Sequence, residues 1–229
     1  MKIAVLGYGV VGSGVVELMH KNPESINAKA GTDIEIKYIL DIRDFNDSPF
    51  KHLFIKDFNI ILNDPEIDVV VEVIGGLNPA YRFVKDSLLA GKSVVTSNKE
   101  LVSVYGDELL QIAKDNNKNF LFEASVGGGI PIIRPINQCL AANEIESISG
   151  ILNGTTNFIL TKMVKENYSF EDALKNAQQL GYAEANPAAD IEGIDSCRKI
   201  AILASLAYGE HVNPDKVHTE GITEIKLED

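Results

Sequence analysis

Short apolar runs alternate with amphipathic stretches through residues 1–130. The first run, Lys2–Gly7, precedes apolar residues at helical spacing from Val15 to Met19. Continuous apolar runs of this length are typical of strands buried in a parallel sheet. The later predicted strands are Ile34–Leu40, Asp68–Ile74, Ser93–Thr96 and Asn119–Glu123, and the helices predicted between them are Pro79–Ala90 and Val104–Asn116. The pattern therefore predicts an α/β domain with an open parallel sheet.

The pattern changes after Pro131, where helical periods dominate. The predicted elements are helix Ile132–Leu140, strand Ile145–Leu152, and helices Phe158–Glu166, Ser169–Leu180 and Ile194–Tyr208. Ser169 and Asp172 have the spacing of a capping box, with Asp in place of the usual Glu or Gln. This mixture predicts a second domain of the α+β class over residues 131–229.

The turn after the first predicted strand reads Gly7-Tyr-Gly9-Val-Val-Gly12. Gly7 allows a tight turn, Gly9 lets the backbone approach a pyrophosphate, and Gly12 lets the helix pack closely on the strand. The N–H groups at the helix start, around Val10 and Val11, would bind the phosphates. We interpret this as the glycine-rich turn of a Rossmann-like dinucleotide domain, the alternative being a tightly packed turn that binds nothing.

Polar residues follow the other predicted strands at the edge where parallel sheets bind ligands. Asp41 can accept hydrogen bonds from the ribose hydroxyls of NAD, whereas Arg43 can pair with the 2′-phosphate of NADP. Both cofactors therefore stay open, and two solvated loop charges are the alternative. Further candidates at this edge are Gly75, Thr96, Ser97 and Lys99.

Residues 181–199 place four carboxylates and a lysine where a turn leads into a helix. Pro187 and Gly193 predict a bent loop before a helix that begins near Ile194. Asp195 and Lys199 are four residues apart, on one face of that helix. The cluster indicates a site for a charged substrate, and an ordinary surface ion pair is the alternative.

Composition narrows the class of partner. The formal net charge of −12 and the pI near 4.8 oppose non-specific binding to nucleic acid or anionic membranes, so a small-molecule partner is expected. Cys139 and Cys197 have neither CxxC nor Cys/His metal spacing, which predicts a reducing, cytoplasmic location without structural zinc. The apolar start lacks the features of a signal peptide, and we expect it to be retained.

In combination, these motifs resemble the homoserine dehydrogenase family from Lys2 to about Tyr208. The segments that carry the resemblance are Gly7–Gly12, Thr96–Lys99, Glu123–Pro131, Asn153–Asn157, Gly181–Glu184, Asp190, Asp195 and Lys199. The resemblance implies a Rossmann-like nucleotide domain and a substrate and dimerisation domain. It also implies NAD- or NADP-dependent interconversion of L-homoserine and L-aspartate 4-semialdehyde, in threonine, isoleucine and methionine biosynthesis.

The resemblance implies roles for individual residues. Glu184 and Asp190 would serve the substrate's ammonium side, and Asp195 would contact the reacting oxygen. Lys199 would carry the proton, and Lys99 would orient the substrate and stabilise developing negative charge. The sequence by itself leaves open which of the two lysines transfers the proton. The cofactor-binding positions that follow are Gly7, Gly9, Val10, Val11, Gly12, Asp41, Arg43, Gly75, Thr96, Ser97, Lys99, Gly181 and Glu184.

The family also uses the glycine-rich turn after Glu123 for a monovalent cation. The matching ligands would be the Glu123 carboxylate and the carbonyl oxygens of Val126, Gly128 and Ile130. Hard oxygen ligands of this kind suit sodium. An empty glycine turn is the alternative.

The sequence departs from the family at two points. Ser97 stands where the family usually has alanine, a change of one small residue for another. Family members also continue well past residue 229, so we expect an incomplete second domain and weak or no cofactor binding by this chain. We also expect a homodimer, because strand edges and apolar faces in Ile145–Leu152 and the following helices have no other evident cover.

Two other functions are compatible with parts of the sequence. A dinucleotide-binding fragment or sensor without catalysis explains the glycine turn but not the acidic segment. An aldehyde dehydrogenase would need a cysteine nucleophile beside the nicotinamide, and both cysteines fall in predicted helices.

Overall fold

The computed structural model describes residues 1–229, which form two compact units, Met1–Pro131 and Ile132–Asp229. All six strands belong to the first unit, and the second is helical. None of the helices has the length and apolar character needed to cross a membrane.

A six-stranded parallel sheet forms the centre of the first unit. Its strands are β1 (Lys2–Leu6), β2 (Glu35–Leu40), β3 (Phe54–Ile55), β4 (Ile67–Glu72), β5 (Ser93–Thr96) and β6 (Phe120–Leu121). They are arranged in the order β3-β2-β1-β4-β5-β6, with every neighbouring pair parallel. The predicted open parallel sheet is therefore confirmed. Only β3, a strand of two residues, was missed.

Five helices connect these strands. They are α1 (Val10–Lys21), α2 (Pro23–Ala30), α3 (Phe58–Asn63), α4 (Ala80–Leu89) and α5 (Lys99–Asp115). The sequence pattern did not predict α2 and α3, and α2 accommodates the long connection between β1 and β2. The prediction for α5 began five residues too late. The helix begins at Lys99, because Asn98 caps it by accepting a hydrogen bond from the Leu101 amide.

The central strands are buried on both faces, as their continuous apolar runs require. Val5, Leu6, Ile39, Val70 and Val94 have no more than trace exposure to solvent. Such side chains stabilise the fold by about 1.5–3 kcal/mol each relative to exposed positions. The sheet is therefore a rigid base for the loops that leave its carboxyl edge.

The second unit contains four α-helices and a π-helix. Their bounds are Pro135–Cys139 for the π-helix, then α6 (Gly154–Glu166), α7 (Phe170–Gln179), α8 (Ala188–Ile191) and α9 (Ile194–Tyr208). Its core is built from Ile159 and Met163 of α6, Ala173 and Ala177 of α7, and Ala183 of the following loop. Ser169 caps α7, since its Oγ accepts from the Asp172 amide as in a capping box. The Asp172 carboxylate accepts from the Ser169 hydroxyl, whereas in a capping box it would accept from the Ser169 amide.

Two predictions for this unit need correction. The strand predicted over Ile145–Leu152 is wrong, because these residues join no β-ladder and no strand occurs in the second unit. A strand needs a neighbour for its N–H and C=O groups, and residues 132–229 provide none. The helix predicted over Ile132–Leu140 is mostly π-helical, with the Leu140 amide bonded to the Pro135 carbonyl, five residues back.

Candidate functional site

The order in which strands are added to the sheet changes direction between β1 and β4. From β1 it continues to β2 and β3 on one side, and from β4 to β5 and β6 on the other. Ligands of open α/β sheets bind at the carboxyl ends of the strands at this switch point. The Gly7–Gly12 turn leaves β1 here, beside the loop that follows β4.

The glycine turn has the packing that close approach of helix and strand requires. A Cβ added to Gly12 would lie 2.0 Å from the Gly7 carbonyl oxygen, and Gly7 itself has a φ of +98°. Both positions therefore admit only glycine without a backbone shift. A Cβ at Gly9 would meet nothing within 4 Å, so open space lies next to the start of α1.

The amino end of α1 suits a phosphate group. Gly9 is the N-cap residue and has no side chain that could occupy the first turn, and Val10 is 92% exposed. The N–H groups of Val10 and Val11 belong to the first turn, which has no intrahelical acceptors and carries the positive end of the helix dipole. These features fit the pyrophosphate of a dinucleotide.

Asp41 and Arg43 form a closed ion pair at the end of β2. Asp41 Oδ1 accepts from Arg43 Nε at 3.0 Å, and Oδ2 accepts from Arg43 Nη2 at 2.9 Å and from the Tyr8 amide at 2.8 Å. Hydrogen bonds from Arg43 hold the pKa of Asp41 at about 2. The guanidinium, which also lies over the Phe45 ring, is therefore the exposed member of this ion pair.

Sequence reasoning missed Glu72, a fully buried carboxylate at the end of β4. Its Oε1 accepts from the amides of Ile74 and Gly75 at 2.8 and 3.3 Å, and its Oε2 accepts from Thr96 Oγ1 at 2.6 Å. Glu72 thus joins the loop after β4 to the end of β5. A charged residue within an otherwise apolar strand was the available signal, because burial of a carboxylate requires such partners.

Asn98 extends this network to Lys99. Its Nδ2 donates to the Gly76 carbonyl at 2.6 Å, and its backbone amide donates to Thr96 Oγ1 at 2.9 Å. Thr96 is consequently buried with its hydroxyl used inside the protein, whereas Ser97 and Lys99 are half-buried. Lys99 is the first residue of α5, directly after the capped position.

The proposed cation ligands lie in the turn that follows β6. Glu123 begins a 3₁₀ turn ending at Ser125, and Val126, Gly128 and Ile130 lie in turn or bend backbone outside any helix or strand. Their carbonyl oxygens therefore make no β-sheet hydrogen bonds. The described chain contains no group of three or more His, Cys, Asp or Glu side chains that could hold a metal ion, so backbone oxygens would have to dominate this site.

In the second unit, Asp195 and Lys199 form a buried ion pair on α9. Lys199 Nζ lies 2.7 Å from Asp195 Oδ2, and the two side chains are 16% and 4% exposed. Lys199 Nζ also donates to the Leu152 carbonyl at 2.8 Å. The surface ion pair considered as an alternative does not describe this arrangement.

Asn153 connects the pair to Asp190, and sequence reasoning gave it no role. Its Nδ2 donates to Asp190 Oδ1 at 2.7 Å and to Asp195 Oδ2 at 2.9 Å. Its Oδ1 accepts from the Thr156 amide, which caps α6. The predicted helix began only at Phe158, whereas α6 begins at Gly154 with Asn153 as its N-cap, so even the capping role of Asn153 was missed.

The structure does not bring Glu184 into this cluster. Its side chain is exposed, and its backbone carbonyl accepts from Gln178 Nε2. Gly181 has a local explanation, since it ends α7 in a Schellman motif with a φ of +78° and the Tyr182 amide bonded to the Ala177 carbonyl. Both cysteines are unpaired, with Cys139 exposed in the π-helix and Cys197 half-buried in α9.

Comparison with known proteins gives a consistent result for both units. Residues 7–123 match the family model "Homoserine dehydrogenase, NAD binding domain", and residues 131–229 match "Homoserine dehydrogenase". The chain is 44% identical to a homoserine dehydrogenase of Bacillus subtilis (strain 168), over 100% of this chain and 54% of that protein.

Solved structures agree with the sequence matches. A homoserine dehydrogenase from Thiobacillus denitrificans superposes with a TM-score of 0.91 and 41% identity, over 100% of this chain and 54% of that one. A hyperthermophilic archaeal homoserine dehydrogenase in complex with NADPH gives 0.84 and 30%, over 98% of this chain and 74% of that one. The chain spans about half the length of the curated relatives it matches.

Proposed function

The chain belongs to the homoserine dehydrogenase family, and from this we propose that its protein interconverts L-homoserine and L-aspartate 4-semialdehyde with NAD or NADP. The reaction would serve threonine, isoleucine and methionine biosynthesis. We assign residues 1–130 to dinucleotide binding and residues 131–229 to substrate binding and dimerisation.

The buried cluster of the second unit is the observation that carries this proposal. It holds two carboxylates, Asp190 and Asp195, against one ammonium group, that of Lys199. Carboxylates gathered at one site favour the binding of a positively charged group. The ammonium group of an amino acid would supply that cation, as homoserine does.

The geometry of Lys199 supports its role as the proton carrier. A lysine ammonium group has three donor directions, and two of them are used by Asp195 Oδ2 and the Leu152 carbonyl. The third can point at a substrate hydroxyl. When that third position is a lone pair instead of an N–H, Nζ can accept a proton. We propose that Lys199 Nζ then takes the hydroxyl proton of homoserine, and that Asp195 holds Nζ in place.

The first unit would hold the cofactor, which accepts a hydride from the hydroxyl-bearing carbon when bound. We propose that the open first turn of α1 binds the pyrophosphate, as the space beside Gly9 supports. Asp41 and Arg43 would select the adenosine ribose or its 2′-phosphate. Lys99 would orient the substrate and stabilise negative charge on its oxygen.

Three further parts of the proposal rest on single features. We propose a sodium-type cation at Glu123, Val126, Gly128 and Ile130, supported by backbone carbonyls outside regular structure. We propose a homodimer through the second unit, where Ile151 and Val164 are each at least three-quarters exposed. The unpaired cysteines support a cytoplasmic location.

The function is tested with the complete gene product and with residues 1–229, each supplied with L-homoserine and either NAD⁺ or NADP⁺. We expect homoserine-dependent formation of reduced nicotinamide, followed by its absorbance, in the complete gene product. Cofactor binding without turnover would instead support the sensor alternative. No binding and no turnover with either cofactor would contradict the proposed function.

The same preparation tests the cation and the dimer. Turnover should be higher in sodium than in a bulky organic cation, and equal rates in both would remove the support for the site at Glu123. Sedimentation should report twice the monomer mass, and a monomer at high protein concentration would contradict the dimer.

A further inference from the structure

The Asn153 side chain is buried and uses every hydrogen-bonding group that it has. Its two N–H donors point to Asp190 Oδ1 and Asp195 Oδ2, and its carbonyl oxygen accepts from the Thr156 amide at 2.8 Å. An asparagine amide offers two donors and one carbonyl oxygen, so the group is fully satisfied.

These partners determine which way the amide faces. If it were flipped, its carbonyl oxygen would face two carboxylates and its NH₂ group would face the Thr156 N–H. Both arrangements are repulsive, because like groups would meet in a buried site. The observed orientation is therefore specified by residues from α6, α8 and α9 together.

The cluster around Lys199 depends on the same residue. Asn153 Nδ2 and Lys199 Nζ donate to one oxygen, Asp195 Oδ2, at 2.9 and 2.7 Å. The second acceptor of Lys199 is the carbonyl of Leu152, the residue before Asn153. A change in the position of Asn153 would thus move both contacts that hold the Lys199 amine.

We propose that Asn153 is a positioning residue, which holds Asp190 and Asp195 at one amide and thereby aligns Lys199 with the substrate. This inference rests on the proposed function. A neutral amide also suits this positioning role better than a positively charged side chain would. Two carboxylates repel each other when they approach, and the amide offsets that repulsion without cancelling the negative charge that a substrate ammonium group would meet.

The helix cap provides the competing explanation, and variants can separate the two. Asn153→Asp and Asn153→Ser both retain an acceptor that caps a helix, because Asp and Ser are preferred at this position. Neither can donate to two carboxylates at once, since an ionised Asp has no donor and Ser has a single, shorter one. Ser169→Ala is the matched control, because Ser169 caps α7 without contacting this cluster.

In the complete gene product, we expect Asn153→Asp and Asn153→Ser to lower kcat for homoserine by about tenfold to a hundredfold, the scale of lost hydrogen bonds to charged groups. Asn153→Ser, which leaves the charge of the site unchanged, should lower kcat more than it raises KM. Ser169→Ala should lower the melting temperature and leave kcat within about twofold. A normal kcat in both Asn153 variants would overturn the positioning role.

Failure of the proposed function can be told apart from failure of this inference. Absence of homoserine oxidation in the unmodified protein would contradict the function. The contact itself is tested without activity, by combining Asn153→Ser with Asp195→Asn and comparing melting temperatures. Because the two side chains belong to one network, we expect the change in melting temperature of the double variant to differ from the sum of the two single changes. A strictly additive change would overturn the inference, whether or not the protein oxidises homoserine.

Discussion

The Arg43 guanidinium closes over the Asp41 carboxylate through two side-chain hydrogen bonds of 2.9 and 3.0 Å. Asp41 is buried beneath it, and Arg43 is the member of the pair that meets solvent. An incoming ribose must displace Arg43 to reach Asp41, whereas a 2′-phosphate can bind Arg43 from the solvent side.

Arg43→Ala is therefore expected to change cofactor preference. The variant should lose about tenfold or more in NADP affinity, which is the scale of one charge-assisted contact. Its NAD affinity should stay equal or improve, because Asp41 becomes accessible. Fluorescence titration with both reduced cofactors measures this, and Lys29→Ala on α2 is the surface control. Equal losses for both cofactors would contradict the prediction.

The same pair predicts a dependence of stability on pH. Arg43 lowers the pKa of Asp41 from 3.8 to about 2, so the stabilisation is fully present above pH 4 and is lost as the pH falls towards 2. It amounts to at most about 2 kcal/mol, because Arg43 is more than half exposed and partly screened.

Urea unfolding of the unmodified chain and of Arg43→Ala checks this dependence. The difference in their free energies of unfolding should be largest at pH 7 and should shrink between pH 4 and pH 2. A difference that stays constant across this range would show that the Asp41 carboxylate is not involved.

Two glycines of α1 should respond in opposite directions to alanine. Gly12→Ala places a Cβ 2.0 Å from the Gly7 carbonyl oxygen and should destabilise the first unit by roughly 1–3 kcal/mol. Gly14→Ala meets nothing within 4 Å and should stabilise it by up to about 1 kcal/mol, through helix propensity. Calorimetry of both variants measures their melting temperatures. Shifts of the same sign and size would contradict the packing role of Gly12.

Glu72→Ala should be severely destabilising. The substitution leaves the amides of Ile74 and Gly75 and the Thr96 hydroxyl without their partner, and it leaves a buried cavity. We expect a loss of roughly 2–4 kcal/mol, measured by hydrogen exchange of the β4 amides. Ser87→Ala is the matched control, because the buried Ser87 hydroxyl has no partner and its removal should be nearly neutral. Equal exchange protection in both variants would refute the role of Glu72.

Lys199→Ala and Lys99→Ala, each in the complete gene product, should lower turnover by about a hundredfold or more, the usual scale for acid–base groups. Cofactor affinity should change far less for Lys199→Ala, since Lys199 lies in the second unit. Lys162→Ala is the control, because its ion pair with Glu166 has the same four-residue spacing on α6. Near-normal turnover in Lys199→Ala, with an unchanged pH profile, would remove its assignment as proton carrier.

Much of the first unit was determined by the sequence alone. Continuous apolar runs such as Lys2–Leu6 have one stable environment, a strand buried on both faces, and the glycine spacing allows one kind of turn. The helix Ile194–Tyr208 was predicted with the same first and last residues that the structure shows. Glycines stand directly before and after it, and both have the positive φ that glycine adopts easily. Periodicity and special backbone conformations are local properties, so sequence reasoning can find them.

Other features were decided only by tertiary structure. The pattern over Ile145–Leu152 fits a strand, yet a strand forms only where another segment can pair with it. The sequence shows Glu72 and Asn153 as single polar residues, and their importance comes from partners that are distant in the chain. Asp195 and Lys199 were visible as neighbours on one helical face, but the packing of α6 against the acidic loop decided that they are buried together.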